Sequence, residues 1–281
     1  MLDKQTVQKI NDFVYTKPRS VAEISDMLKV NWRTANRYIE RIEKEEGSFS
    51  TRVFREGTRG ALKVVFWNNV EKMHASEVQE RLYRQIEVGR HKHDFSPSEI
   101  YQFVDEKKRK LVVLTEKENN SNKNFNDFAN MLRSAEKQIL FFSGNMTFSR
   151  MSSHDQNIRK ILEELGKKKI FSKILTRVEA PGIENIRDVL SINSRLGFNA
   201  IEIRHCYQPL RTTIVDNKIA IMKEILDPKD YAEGELKQKL VFIYTIYDEH
   251  WIEWLQKIFW DLFRRSIEAQ KRLQEFKKIA L

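Results

Sequence analysis

Cysteine is almost absent from the chain. Cys206 stands alone among 281 residues, which excludes an intrachain disulfide and any cysteine-rich metal site. Long apolar runs are missing too: nowhere do about 18 consecutive apolar residues occur, the least that a membrane-spanning helix needs. The opening MLDKQTVQKI has no apolar core of the kind a secretory signal carries. The expectation is therefore a cytoplasmic protein with no membrane partner. No internal repeat is visible, and acidic residues fall short of basic ones, 40 against 50. What is present is a chain that is 41% hydrophobic with a net charge of +10. It is long enough for two domains with real cores, and its charge favours polyanionic partners through counterion release.

One break in composition organises the rest. TEKENNSNKNFND (115–127) is rich in Asn, Ser, Lys and Glu and reads as an exposed connector. Before it, DKQTVQKINDFVY places Val7, Ile10, Phe13 and Val14 at helical spacing, and SVAEISDMLK opens on a Ser20–Glu23 capping box. NWRTANRYIERIEKEEG is a third helix, with Asn31 as cap and Gly47 as stop. SFSTRVFR and ALKVVFWN alternate around the turn EGTRG as a β-hairpin. Three helices and a two-stranded wing follow the order of a winged helix-turn-helix domain, expected over residues 1–70. A helical linker is expected over 71–124, with a new helix starting at Pro97. From 125 to 281 strands alternate with helices, the pattern of crossover units and a mostly parallel mixed sheet, closed by one long Trp-rich helix.

The third helix carries the first functional reading. Trp32, Ala35, Ile39 and Ile42 fall on one side and leave Arg33, Arg37, Arg41 and Lys44 on another. Arg33, Thr34, Asn36 and Arg37 lie in the first turns, where a recognition helix meets base edges; Arg and Asn make bidentate bonds to guanine and adenine. Arg41 and Lys44 suit phosphates. Arg55, Arg59 and Lys63 extend the basic surface onto the hairpin. The competing reading is an ordinary solvated face paired to the neighbouring glutamates.

QPLRTTIVDNKIAIMKE (208–224) carries the second. This segment resembles the phospholipase D superfamily, whose signature is His-x-Lys, four residues, Asp, then a Gly-Ser-x-Asn-like stretch. With Asp216 as the acidic position, Pro209 and Arg211 stand where the histidine and lysine belong, and Lys223 and Glu224 replace the glycine and serine. The family's chemistry uses a histidine nucleophile and a second histidine as acid, so the resemblance implies a retired catalytic segment: no catalytic residue, no metal and no cofactor. His91-Lys92-His93 reads as a solvated helix end rather than a metal site, and Lys107–Lys110 (KKRK) as a solvated run between domains.

A winged helix ahead of a degenerate phospholipase-D-like domain is similar in domain order to archaeal transcriptional regulators, including the TrmB-like group. That resemblance implies a chromosome-associated, non-enzymatic regulator of double-stranded DNA. One motif per chain implies a homodimer. Arg211, Thr213 and Asp216 would line the relic pocket, which either binds a small-molecule effector or survives as a dimer scaffold. The alternatives are a nuclease with a displaced active site, or a chromatin or protein-interaction adaptor.

Overall fold

A computed structural model of the chain describes residues 2–16, 19–45, 49–55, 61–67, 77–154, 156–230 and 236–279. Two compact units divide it: Met1–Gln79 with Glu253–Arg265, and Glu80–Ile252 with Ser266–Leu281.

In the first unit, helix α1 (Lys4–Thr16) precedes a two-residue strand β1 (Arg19–Ser20), α2 (Val21–Leu28), α3 (Trp32–Glu45) and the strands β2 (Phe49–Arg55) and β3 (Ala61–Trp67). The capping box forms as the sequence requires: the Ser20 hydroxyl accepts from Glu23 N, and Glu23 Oε2 accepts from Ser20 N at 2.7 Å. Asn31 caps α3 through Thr34 N at 2.8 Å. Strands β2 and β3 pair as an antiparallel hairpin, and β1 adds to the other side of β3. Ile10, Val14, Ile24, Ala35, Ile39, Ile42, Phe49 and Val65 make one core. Trp32 departs from the expected stripe. At the first residue of α3 it is 49% exposed, beside Arg33.

The second unit takes in α4 (Glu77–Val88) from Glu80 onward, a single turn α5 (Ser98–Tyr101) and strand β4 (Arg109–Thr115). The helical linker expected over 71–124 is thus corrected. KKRK leads into RKLVVLT, whose β-branched and apolar residues pair along β12 (Leu240–Ile246). Next come α6 (Glu116–Asn119), α7 (Asn122–Arg133), β5 (Gln138–Phe142), the short β6 (Ser152–Ser153) and β7 (Gln156–Asn157), α8 (Ile158–Lys167), β8 (Phe171–Thr176), α9 (Ile183–Leu196) and β9 (Ile201–His205). Strands β10 (Thr212–Val215) and β11 (Ile219–Leu226) flank the expected turn at Asp216.

Among the described residues these strands form an eight-stranded sheet in the order β13-β9-β8-β5-β10-β11-β12-β4, where β13 is Ile267–Glu268. The sheet is mixed but not mostly parallel. Parallel pairing is confined to β5–β8 and β8–β9, and the remaining pairs are antiparallel. The reason is connection length: only α8 and α9 supply the crossovers that parallel neighbours need, while a tight turn such as Asp216-Asn217-Lys218 returns the chain antiparallel. Ile139 and Phe141 of β5, Ile174 of β8 and Ile203 of β9 bury against Leu132 of α7, Ile161 and Leu165 of α8, and Val189 of α9 in one core. The closing helix is also broken. After α10 (Glu249–Arg265) the chain pairs briefly with β9 as β13, then resumes as α11 (Ala269–Ile279). Among the described residues no helix is long and apolar enough to cross a membrane.

Candidate functional site

The carboxyl ends of β5 and β8 open onto a cluster of cations, the edge at which α/β sheets place their ligands. Beyond β5 the chain passes Ser143 and Gly144; Ser143 N donates to Leu175 O at 2.8 Å, and Arg177 N to Gly144 O at 3.0 Å. The guanidiniums of Arg177 and Arg211 converge there. A Cβ placed on Gly144 would lie 3.3 Å from Arg211 Nη2 and 3.4 Å from Arg177 Nη2, so the missing side chain leaves room for both. Arg177 Nη1 also donates to His91 Nδ1 at 3.3 Å, with Glu179 at 4.0 Å.

Lys223 joins them by strand register. Thr212 pairs with Met222 across β10–β11, and one step further Lys223 N donates to Arg211 O at 2.9 Å. Side chains directly opposite on antiparallel strands share a face, so two cations twelve positions apart become neighbours. Lys223 Nζ donates to the neutral Asn119 Oδ1 at 2.7 Å, and neither Arg211 nor Lys223 has a carboxylate partner among the described residues. Burial, and then Arg177, hold the Arg211 guanidinium below its ordinary value. Burial, and then Arg211, do the same to the Lys223 ammonium. Two desolvated cations that repel one another are a standing demand for an anion.

A cavity of about 240 Å³ takes in Arg211, Lys223, Lys92, His93, Phe95 and Pro209. Glu224 and Asp230 also line it, but the Glu224 carboxylate is engaged by the Tyr244 hydroxyl at 2.8 Å. The loop after α4 supplies the imidazole. Asp94 ties it by accepting from Arg90 N and His91 N, both at 2.8 Å. Pro209 holds its base: a Cβ on Gly89 would come within 2.7 Å of Pro209 Cγ. The proline in the histidine position of QPLR is therefore a packing residue, and the segment HKH stands beside it.

Of the three residues expected in the relic pocket, Arg211 lines the cavity and the others do not. Thr213 sits mid-strand opposite Phe141 and Ile221. Asp216 lies beyond the far end of β10 in the left-handed region, φ 49°, a conformation Asp tolerates. Its carboxylate accepts from Glu136 N, Lys137 N and Gln138 N at 2.8, 2.9 and 2.9 Å. It anchors the start of β5. Sequence reasoning missed Arg177, Gly144 and Asn119, whose motifs carry no spacing signal, and set aside Lys92, His93 and Lys223 as surface or replacement residues.

On α3, Arg33, Arg37, Arg41 and Lys44 are exposed, and Thr34 and Asn36 are half-buried. Asn36 and Lys63 are engaged with each other: Lys63 Nζ donates to Asn36 Oδ1 at 2.8 Å and to Glu40 Oε1 at 3.0 Å. Asn36 Nδ2 also donates to Glu40 Oε1 at 2.8 Å, and the bonds from Lys63 and then Asn36 hold the Glu40 carboxyl below its ordinary value. Arg59 and the side chain of Arg55 lie outside the described residues.

No protein-family model matches the chain, and no curated protein does. Solved structures similar to it include the phospholipase D family member Nuc from Salmonella typhimurium, at 15% identity and a TM-score of 0.41 over 57% of this chain and 97% of that one. NucT from Helicobacter pylori aligns at 11% identity and 0.39 over 57% and 99%. Phosphatidylserine synthase from Haemophilus influenzae aligns at 12% and 0.38 over 61% and 46%. With a synthase among these neighbours, the non-enzyme expectation drawn from Pro209 is withdrawn.

Proposed function

We propose that the chain is a nucleic-acid-directed phosphodiesterase with a displaced active site: the first unit holds duplex DNA, and the pocket of the second takes a phosphodiester. The observation that carries this reading is that Arg211 and Lys223 lie half-buried side by side, neither ion-paired to a carboxylate among the described residues, in a cavity that His93 also lines. Arg211 offers a planar fork to two phosphate oxygens and Lys223 a point charge to a third. Arg177, at the Gly144 edge, adds charge from the side. His93 lines the same cavity as Pro209 and offers the imidazole that Pro209 lacks. In this reading the loop after α4 replaces the lost histidine.

Incubation with supercoiled plasmid and with bis(p-nitrophenyl) phosphate tests it. Wild type should turn over, His93→Ala should lose at least about 100-fold in kcat, and Arg211→Gln/Lys223→Gln should lose chiefly in KM. A wild type no faster than buffer, or a His93→Ala variant with unchanged kcat, would overturn the phosphodiesterase.

A second reading is favoured by the exposed Arg33, Arg37, Arg41 and Lys44 on α3: a winged helix-turn-helix regulator, sequence-specific on chromosomal DNA, whose pocket takes a phosphorylated effector. Selection from a random duplex pool at about 0.15 M salt, where non-specific binding is weak, distinguishes it. An enriched site whose affinity drops by about 1 to 3 kcal/mol for each of Arg33→Ala and Arg37→Ala supports base reading. An unenriched pool excludes it.

A further inference from the structure

The row of cations at the carboxyl ends of β5 and β8 is longer than the pocket. Thr212 pairs with Phe142 of β5 on one side and with Met222 of β11 on the other. Arg211, one residue earlier, therefore stands between Ser143 and Lys223. Neighbouring strands lie about 4.8 Å apart, so the row from the turn after β5 through Arg211 to Lys223 spans two strand spacings. Burial is the first cause that lowers Arg211 and Lys223, and the second follows the row: Arg177 acts on Arg211, and Arg211 on Lys223. The cavity takes in only the Lys223 end, for neither Arg177 nor Gly144 lines it.

The Gly144 end has the parts of an anion seat of its own. Arg177 is fixed from behind, its N and Nε donating to Gly144 O at 3.0 and 3.4 Å, where Thr176 Oγ1 also donates at 3.2 Å. Its Nη1 turns to His91 and Glu179. Among the described residues Nη2 of Arg177 and Nη2 of Arg211 donate to nothing, and they lie 3.4 and 3.3 Å from the point where a Gly144 Cβ would stand. Two nitrogens so placed can each donate to a different oxygen of one phosphate, through charge-assisted bonds of about 2.7 to 2.9 Å. The N–H groups of Gly144 and Asn145 likewise have no acceptor among the described residues. The turn thus brings two main-chain donors to the same edge, the equipment of a phosphate-binding loop.

We infer that the Gly144 end is a second phosphate subsite, sharing Arg211 with the first, and that the ligand is a polynucleotide strand held through two consecutive phosphates. The inference rests on the phosphodiesterase reading of the pocket and names its substrate. One phosphate sits at Arg211 and Lys223, and its neighbour sits at Arg177 and the Gly144 turn. The length of the row specifies the class. The two phosphoryl groups of a pyrophosphate share one oxygen and lie too close together to fill both ends, whereas consecutive phosphates of a strand are separated by a whole sugar. A simple diester fills the first subsite and leaves the second without an anion.

Calorimetric titration of the full chain reads the second subsite without turnover, using thymidine 5′-monophosphate, thymidine 5′-diphosphate and thymidine 3′,5′-bisphosphate. Wild type should bind the bisphosphate at least about tenfold more tightly than the monophosphate, and the diphosphate should gain less than about threefold. Arg177→Gln should bring the bisphosphate-to-monophosphate ratio to about one, while Lys223→Gln should weaken both ligands and keep the ratio. If Arg177→Gln fails to fold, Gly144→Ala decides: its methyl stands between the two Nη2 atoms, both at the ends of flexible side chains, and should collapse the ratio in the same way. Four results would each overturn the second subsite: no binding of the bisphosphate at about 1 mM, equal affinity for bisphosphate and monophosphate, a diphosphate gain as large as that of the bisphosphate, or a ratio that survives both Arg177→Gln and Gly144→Ala. The two readings fail separately. No hydrolysis of bis(p-nitrophenyl) phosphate with the bisphosphate preference intact would sink the phosphodiesterase alone, and hydrolysis without the preference would sink the second subsite alone.

Discussion

Gly89 and Pro209 meet so closely that the pair fixes the loop carrying His91, Lys92 and His93. Gly89→Ala forces a Cβ to within 2.7 Å of a ring carbon that has no flexible end to swing away. We expect a cost of about 1 to 3 kcal/mol, typical of overpacking, measured as a lowered denaturant midpoint. His205 gives a pH prediction. Its Nδ1 accepts from Val178 N at 3.0 Å, and burial, followed by Arg272, pushes its value below the ordinary 6.5, against Glu179 and Glu275. A histidine depressed in the folded state binds fewer protons folded than unfolded, so stability rises with pH through the window below about 6.5 and is lost as pH falls. His205→Asn keeps an acceptor without the titration. Its unfolding midpoint should vary less between pH 7 and pH 5 than that of wild type, and equal slopes would remove His205 as the cause. The QPLR segment illustrates how far residue-level reading reaches. Its departure from the catalytic pattern was plain, but Arg211 found its partners through strand register and a distant loop.

At the scale of elements, the elements expected from pattern are those with local signals. Helix α2 begins at its capping box, α8 begins at its Asn157 cap, and α9 ends at Gly197. The errors lie where a partner decides. RKLVVLT reads as linker because a solvated run precedes it, and it becomes a strand because β12 lies alongside. The final helix breaks at Ser266 because Ile267 pairs with His205 and Arg204 Nη1 reaches Ser266 O at 3.3 Å. Asp216 belongs to this scale too, since one carboxylate fastens the start of β5 to the β10–β11 turn. Asp216→Ala leaves three main-chain donors without an acceptor at a position 6% exposed. The expected loss is about 2 kcal/mol or more. Chemical denaturation reads it, and a loss below about 0.5 kcal/mol would mean that water replaces the carboxylate.

Across the whole molecule, the uncompensated cations of the pocket link stability to anions. Pyrophosphate at about 100 times its dissociation constant should stabilise the protein by about 2.7 kcal/mol, and Arg211→Gln/Lys223→Gln should abolish the rise in melting temperature while raising the melting temperature of the free protein, since two half-buried like charges are gone. A rise that persists in the double variant would place the anion elsewhere. The sequence by itself determined the capped helices, the basic face of α3 and the absence of a nucleophile at 209, because these depend on spacing within one segment. Tertiary structure alone decided the sheet's mixed order, the capture of Asp216 as a structural anchor, and the meeting of Arg211, Lys223 and His93 at one cavity, with Arg177 beside Arg211 at the Gly144 edge. Charges far apart in the chain interact only once strand register and a packed loop bring them together, and nothing in their local sequence encodes that distance.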